Sequence, residues 1–445
     1  MKGKVARGRL LGYALGSVGT GVFSTTPGLL LLYYLTDVMG VPAAVAGVAL
    51  VLPKAWDVLL NPYVGALSDR EAVRTGRRTR LLVLGAVTLP VLFALMFAAP
   101  AHGTVAAVWV MAVFLLAASA FAAFQVPYVA LPAEISDLPE ERSRAMAWRI
   151  IALTIGILLA GGAAPELVGL AGDGRGGYAV MGVVIGLVMG AAMLAAALST
   201  RWITSRPGPR PLGFAAALRV ARGNRPFFAL LGAFTVQALA IAVMLAGAAY
   251  VAEYRLGDDG LTSVLFVCLV APSALAVPVW NRLSRRYGAV PCYLLAVVLF
   301  AAGSLALLPA LTAGAAATAF ALTGLLGVCY AALQLLPLSL LPETVHADTG
   351  RTGHAQAGAL TGAWTAAETG AMALGSGVYS AVLAATGFRS AAAGTQVVQQ
   401  ESALTGLTAG FTLVPALLML ASVPLVLAYR ARALAHRTEG TPDAA

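Results

Sequence analysis

Asn61-Pro62-Tyr63-Val64-Gly65-Ala66-Leu67-Ser68-Asp69-Arg70 and Val277-Pro278-Val279-Trp280-Asn281-Arg282-Leu283-Ser284-Arg285-Arg286 are two versions of one motif. Proline, leucine, serine and arginine recur at one offset, 216 residues from Pro62 to Pro278. A second pair sits at nearly the same spacing. Gln125-Val126-Pro127 through Leu131-Pro132 matches Leu335-Leu336-Pro337 through Leu341-Pro342, 210 residues later. Both offsets are close to half of the 445 residues, so the chain reads as two related halves. Each half is apolar. A duplicated membrane bundle is the usual build of a secondary transporter, with its site between the repeats.

Composition agrees. The chain is 60% hydrophobic and 11% charged, against roughly 25% charged in soluble domains. That is too few charges to cover a soluble surface of this size. About 20 apolar residues span a bilayer as a helix. Such stretches centre near Thr26, Leu52, Pro90, Leu116, Leu159, Leu187, Gln237, Ala271, Phe300, Leu326, Met372 and Leu417. The expected fold is an all-α membrane protein with twelve transmembrane helices in two pseudo-symmetric six-helix bundles. The expected division is 1–200 for the first bundle, 201–226 for a cytoplasmic linker, 227–430 for the second bundle and 431–445 for a cytoplasmic tail.

The net charge of +10 does not indicate a nucleic-acid partner, because the charges follow the membrane. With the N-terminus cytoplasmic, 25 of the 29 Lys and Arg lie at cytoplasmic helix ends. Arg175, Arg255 and Arg389 fall outside that set, and Lys54 lies within a span. This is the positive-inside bias. It places both termini in the cytoplasm and the protein, as a multi-pass chain, in the cytoplasmic (inner) membrane. The apolar run Leu10 to Leu35 follows a basic start but has no clear small-residue cleavage site, so it reads as a retained first helix. The linker holds Arg206-Pro207-Gly208-Pro209-Arg210-Pro211, which cannot continue a helix. Phe214 to Arg222 reads as a short amphipathic helix on the membrane surface.

No G-x-x-x-x-G-K-[ST] phosphate loop occurs, so transport is expected to draw on a gradient rather than on ATP, and no cofactor is expected. Cys268, Cys292 and Cys329 lie in apolar spans without zinc spacing and read as packing residues. His346, Asp348 and His354 match no metal motif and read as a polar loop.

The residues around the repeated motif are similar to a known family. Lys54-Ala-Trp-Asp57 through Asn61-Pro62-Tyr-Val-Gly65-Ala-Leu-Ser68-Asp69-Arg70, then Gly76-Arg77-Arg78, resembles helix two and its loop in the major facilitator superfamily. Within it, the likeness is to the glycoside-pentoside-hexuronide:cation symporter family. Phe124-Gln-Val-Pro127-Tyr128-Val-Ala-Leu131, Glu134 and Glu141-Arg142 resemble that family's helix four and following loop. Tyr33-Tyr34-Leu-Thr36-Asp37-Val38, Arg351-Thr352-Gly353 and Gly362-Ala-Trp364 extend the likeness over nearly the whole chain. The resemblance implies the major facilitator fold. It also implies a cation site of two carboxylates one turn apart on helix two, and here these positions hold Asp57 and Asn61. The family's sugar-binding acids on helices four and one fall at Gln125 and Gly21. Its basic residue on helix eleven falls at or beside Glu368, and the basic residue preceding helix five is kept as Arg149.

An ionisable side chain near mid-bilayer costs at least about 2.5–3.5 kcal/mol on insertion scales, so each one suggests a function. Lys54 and Asp57 are three apart and share a helix face with Asn61. They read either as a structural ion pair or as a coupling-ion site in which Lys54 tunes the proton affinity of Asp57. Gln125, Tyr128, Arg149, Trp364 and Glu368 are the candidate substrate-binding residues. Packing is an equal alternative for Gln125 and Tyr128, and a hydrogen bond to a neighbouring helix is the alternative for Glu368. Asp69, Arg70, Arg77, Arg78, Glu134 and Arg142 are candidate gating residues. The resemblance implies charge pairs that latch one conformation, with Asp69 and Arg70 foremost, whereas ordinary positive-inside charge explains the arginines without a gate.

The expected function is cation-coupled symport of a glycoside-like small molecule by alternating access, with H⁺ favoured over Na⁺ because a proton needs one titratable oxygen and a sodium cage several. The protein is expected to be a monomer in the lipid bilayer. Two rivals share the fold: an exporter of an amphiphilic metabolite or drug, and a lysolipid transporter. A membrane-embedded enzyme would need clustered acids or histidines near one membrane face, and it leaves the duplication unexplained. A non-transporting receptor is a further alternative.

Overall fold

In a lipid core the backbone must satisfy its own hydrogen bonds, which helices do within one segment. The computed structural model describes residues 6–135, 139–172, 174–204, 224–258, 260–352, 357–390 and 397–439. All of its regular elements there are helices apart from one isolated bridge residue. The amphipathic helix expected at Phe214 to Arg222 and most of the expected linker lie outside these residues. So do His354 and the side chains of His346 and Asp348.

The chain divides into two compact units, Met1–Arg210 with Gly387–Gln400, and Pro211–Thr386 with Glu401–Ala445. Unit 1 holds α1 (Arg7–Thr26), α2 (Ala43–Thr75), α3 (Thr79–Met96), α4 (Gly103–Ile135), α5 (Pro139–Leu158), α6 (Ala164–Leu170) and α7 (Gly174–Ser199). A π-turn at Leu159–Ala163 joins α5 to α6 as one rod. Two more widen the end of the first rod, at Pro27–Leu31 and Tyr34–Val38. Pro27 has no N–H to give the preceding turn, and the ladder opens there. Unit 2 holds α8 (Arg225–Val251), α9 (Leu261–Tyr287), α10 (Ala289–Thr312), α11 (Ala316–Thr352), α12 (Ala357–Ala385) and α13 (Glu401–Glu439). The Asn224 side chain caps α8 by accepting the Phe227 N–H at 3.0 Å.

Among the described residues, ten helical segments are long and apolar enough to cross a membrane. The expected first and eleventh spans are helical but not among the ten. Both are diluted by Gly, Ser and Thr, and α12 also carries Glu368. Leu59, Leu187 and Leu275 are among the many large apolar side chains exposed on the helices, a surface suited to lipid.

The duplication read from the sequence appears in the packing. In unit 1 the first rod packs on the fifth and sixth, the second on the fourth, and the third on the fourth and sixth. Unit 2 repeats the same five pairings, α8 with α12 and α13, α9 with α11, and α10 with α11 and α13. Pro62 and Pro278 lie on the second rod of their units, and Pro127 and Pro337 on the fourth. A tryptophan at non-equivalent positions joins the second rod to the fourth in each unit. Trp56 of α2 donates to Ser119 Oγ of α4 at 3.0 Å, and Trp280 of α9 donates to the Val328 carbonyl of α11 at 2.7 Å.

Lipid gives apolar helices little reason to associate, so close approach through small residues matters more than in water. A Cβ on Gly21 would lie 2.6 Å from the Leu153 carbonyl oxygen of α5, and one on Gly156 would run into the Val18 carbonyl of α1. The first and fifth rods thus interlock glycine against backbone. Unit 2 does the same where Gly375 of α12 meets Ala242 of α8.

Gly156→Ala is therefore expected to destabilise the purified protein by about 1–3 kcal/mol, the usual penalty of overpacking. Gly370→Ala, where a Cβ has nothing within 4 Å, is expected to be neutral or to stabilise α12 by up to about 1 kcal/mol. Melting temperatures of the two variants in detergent check both.

Candidate functional site

Helix α2 carries Lys54, Asp57 and Asn61 along one face. Asp57 is 6% exposed, and its Oδ1 is buried without a hydrogen-bond partner. Lys54 lies within electrostatic reach of it, although no ion pair between the two occurs among the described residues. The Lys54 ammonium instead lies over the rings of Phe23, 5.9 Å from the centroid, and Phe114, 5.7 Å away. Helical spacing places both residues on one side of α2, but the flexible lysine stem reaches the aromatic faces of α1 and α4, which attract a cation. Asn61 is half-buried a turn beyond Asp57.

Helix α4 carries Gln125 and Tyr128 one turn apart. Tyr128 is fully buried, stacked between Tyr13 and Phe124 with centroids 4.8 and 5.1 Å away. Its hydroxyl donates to the Tyr13 carbonyl at 2.8 Å and lies 2.9 Å from Ser17 Oγ. These contacts tie α4 to α1 and give Tyr128 a packing role. Gln125 Oε1 is buried without a partner. On α5, the Arg149 guanidinium lies 5.6 Å from the Tyr128 ring centroid, and its Nε is buried and unpartnered. Gly21 faces the α5 backbone, so no acidic side chain fits there without parting the helices.

At the α2–α3 turn three of the candidate gating residues converge, Asp69, Arg78 and Glu134. Helix α2 ends at Gly76, whose φ of 67° is the left-handed value that favours glycine. The turn brings Arg78 back against α2. Its Nη1 donates to Ser68 Oγ at 2.7 Å and Asp69 Oδ1 at 2.8 Å, and its Nε donates to Glu134 Oε1 of α4 at 3.1 Å. Arg78 is buried and pairs with Asp69, whereas Arg70 and Arg77 are exposed. Arg142 is half-buried, and the neighbouring Glu141 pairs with Arg144 at 2.8 Å.

Glu71 was not foreseen. Its carboxylate accepts from the Arg80 and Leu81 N–H groups at 2.8 and 3.2 Å, closing the start of α3. The available signal was the lack of an acidic residue in the first turn of α3, which leaves its N–H groups to an outside acceptor.

Unit 2 holds the remaining candidates. Trp364 of α12 is 3% exposed and stacks on Phe234 at 4.3 Å, with its indole N–H unpartnered. Glu368, one turn on, is half-buried and lies within electrostatic reach of Tyr330 of α11, which accepts from the Gln334 amide at 3.0 Å. The sequence did not single out Gln237. It is buried between α10 and α13, accepting from Tyr293 at 2.6 Å and donating to Ser422 at 2.9 Å.

Residues 12–432 match the family described as MFS/sugar transport protein. The chain belongs to that family. Relatives of this MFS chain include a candidate glycoside/cation symporter of Escherichia coli (strain K12), YagG, 30% identical over 167 residues. That alignment covers 37% of this chain and 36% of the relative. The sodium-dependent lysophosphatidylcholine symporter 1-B of Danio rerio is 26% identical over 371 residues, covering 75% of this chain and 70% of its own. Among solved structures, a bacterial homologue of the human lysosomal transporter Spinster superposes with a TM-score of 0.67 at 15% identity. It covers 97% of this chain and 96% of its own, a likeness of fold. These matches agree with the resemblance read from the motif on α2.

Arg78→Gln removes the common partner of two carboxylates and a hydroxyl, and is expected to lower stability by about 3 kcal/mol, as when one member of a buried ion pair is lost. Arg70→Gln and Arg77→Gln are expected to stay within about 0.5 kcal/mol of the parent, as exposed substitutions do. A melting series of the three purified variants tests the assignment.

Proposed function

We propose that this MFS protein is a secondary transporter of the cytoplasmic membrane, with both termini cytoplasmic, that moves a glycoside-like small solute by alternating access coupled to H⁺. The observation that carries the coupling is the buried carboxylate of Asp57, whose Oδ1 has no hydrogen-bond partner and which, among the described residues, lies within electrostatic reach of Lys54 without an ion pair to it. A proton needs one such oxygen. A Na⁺ stripped of its water needs several, and the α2 face offers one carboxylate because its second position is Asn61. In this reading Asp57 carries the proton, Asn61 lines the same face, and Lys54 waits beside it. Gln125, Arg149, Trp364 and Glu368 hold the solute, and the Arg78–Asp69–Glu134 cluster is the gate.

The likeness to a glycoside/cation symporter supports the solute class. The longer alignment with a sodium-dependent lysophosphatidylcholine symporter favours a second reading, an amphiphile carrier on the same scaffold.

Proteoliposome uptake separates these readings. Accumulation is expected to respond to external pH and to collapse with a protonophore, and to be indifferent to replacing Na⁺ by choline. Asp57→Asn is expected to abolish accumulation and to spare exchange at equal concentrations, which moves no net ion. Asn61→Asp restores a second carboxylate and is expected to introduce Na⁺ stimulation. Strong Na⁺ dependence of the parent at fixed pH and potential would refute the assignment of the ion.

A further inference from the structure

The fifth and sixth rods of unit 1 lie against the same helix without closing on each other along their length. Both α5 and α7 pack along α1, and the two scarcely meet among the described residues. The rods come together at the far end, where Gly177 of α7 sits against the Val168 carbonyl of α6. Toward the start of α1 they part, and α1 is the floor of the wedge between them. Trp148 of α5 and Ala192 of α7 stand on its two sides, packed against the cluster of Ala14, Val18 and Ala152. Nearer the mouth the floor is uncovered: Leu11 is 44% exposed and Leu15 42%.

The mouth is basic. Arg7, Leu11 and Leu15 follow one another at four-residue spacing and share a ridge of α1. Arg201 follows the last turn of α7 at the same level, because Ser199 meets Gly12 of α1. Arg7 and Arg201 are exposed, and neither joins an ion pair among the described residues. On the α5 side Arg144 is already satisfied by Glu141 at 2.8 Å. Neither α1 nor α7 can supply a counter-ion, since no Asp or Glu occurs in residues 1–36 or 174–252. The Trp148 indole N–H also has no acceptor among the described residues.

An ordinary apolar helix face takes lipid tails without preference. Here an apolar wedge ends at two arginines that lack an anion, and a free indole donor stands in its wall. A neutral lipid fits the wedge and leaves the arginines bare. A small inorganic anion fits the arginines and leaves the wedge bare. A lipid with a phosphate and a net negative charge matches both, since each Lys or Arg near an anionic membrane surface contributes about 1 kcal/mol, and long arginine stems lie along apolar surface with the charge at the interface.

We infer that this wedge holds one anionic phospholipid, with its phosphate between Arg7 and Arg201 and an acyl chain along Leu11, Leu15 and Trp148. The lipid fills the gap that the fifth and sixth rods leave over α1. It is independent of what the protein transports, so the site stands or falls apart from the reading above.

Trp148 reports on the site directly. The purified full-length protein is placed in phosphatidylcholine nanodiscs that contain a minor fraction of brominated phosphatidylglycerol, or an equal fraction of brominated phosphatidylcholine. Bromine on the chain quenches an indole that it touches, and the difference between the parent and Trp148→Phe isolates this tryptophan. Brominated phosphatidylglycerol is expected to quench Trp148 at about tenfold lower mole fraction than brominated phosphatidylcholine, the preference that two arginines give. Arg7→Gln combined with Arg201→Gln is expected to erase that preference. Arg282→Gln combined with Arg285→Gln removes two exposed arginines from the end of α9 and is expected to keep it. This control separates a site from the general attraction of basic helix ends for anionic lipid.

Native mass spectrometry of the parent gives a second reading that needs no variant. Protein released from mixed nanodiscs is expected to retain one phosphatidylglycerol in preference to phosphatidylcholine, and not to retain free glycerol 3-phosphate. Equal quenching by the two lipids, equal loss in both double variants, or retention of glycerol 3-phosphate in place of the lipid would overturn the proposal.

Discussion

Lipid offers the backbone no hydrogen-bond partner, and the remaining structure follows from that constraint. It makes every span a helix, and it leaves helix-to-helix attraction to close contact and to a few polar links. Glycines supply the contact, at Gly21 and Gly156 in the first unit and Gly375 in the second. Polar links supply the rest. Tyr128 binds α4 to α1, and Gln237 binds α8 to α10 and α13. Trp56 and Trp280 join the second rod of each unit to the fourth. Each of these side chains satisfies a polar atom that would otherwise be stranded away from water.

The fold was legible because its determinants are long and local. Apolar stretches of membrane length mark the helices, and the Pro62/Pro278 and Pro127/Pro337 repeats mark the halves; the five helix pairings recur in both units. The site was less legible because its determinants are side-chain directions. Spacing placed Lys54 and Asp57 on one face but could not show that Phe23 and Phe114 would take the ammonium. The resemblance named Asp69, Arg70, Arg77 and Arg78 together, while the left-handed turn at Gly76 decides that Arg78 is the one beside Asp69. Alignment placed a lost acid at Gly21 without revealing that the position is a helix contact.

The cluster around Arg78 combines several kinds of contact. One guanidinium serves a hydroxyl, a partly exposed carboxylate and a nearly buried one, on two helices. Glu71 meanwhile fastens the start of the next helix to the end of α2. The turn is thus held from both sides, by a cation that reaches back to α2 and an anion that reaches forward to α3. The backbone between them turns at Gly76, a left-handed residue. A turn held by two opposite charges keeps its register when one anchor is lost, because the other remains.

The single carboxylate of Asp57 sets the energetics of the proposed transport cycle. In that proposal one proton crosses with one neutral solute, so each cycle moves one net charge. Membrane voltage, worth about 2.3 kcal/mol for each charge per 100 mV, then adds to the pH difference. A carrier of that kind goes on accumulating its solute after the pH difference has vanished, and it draws on the resting potential as it works.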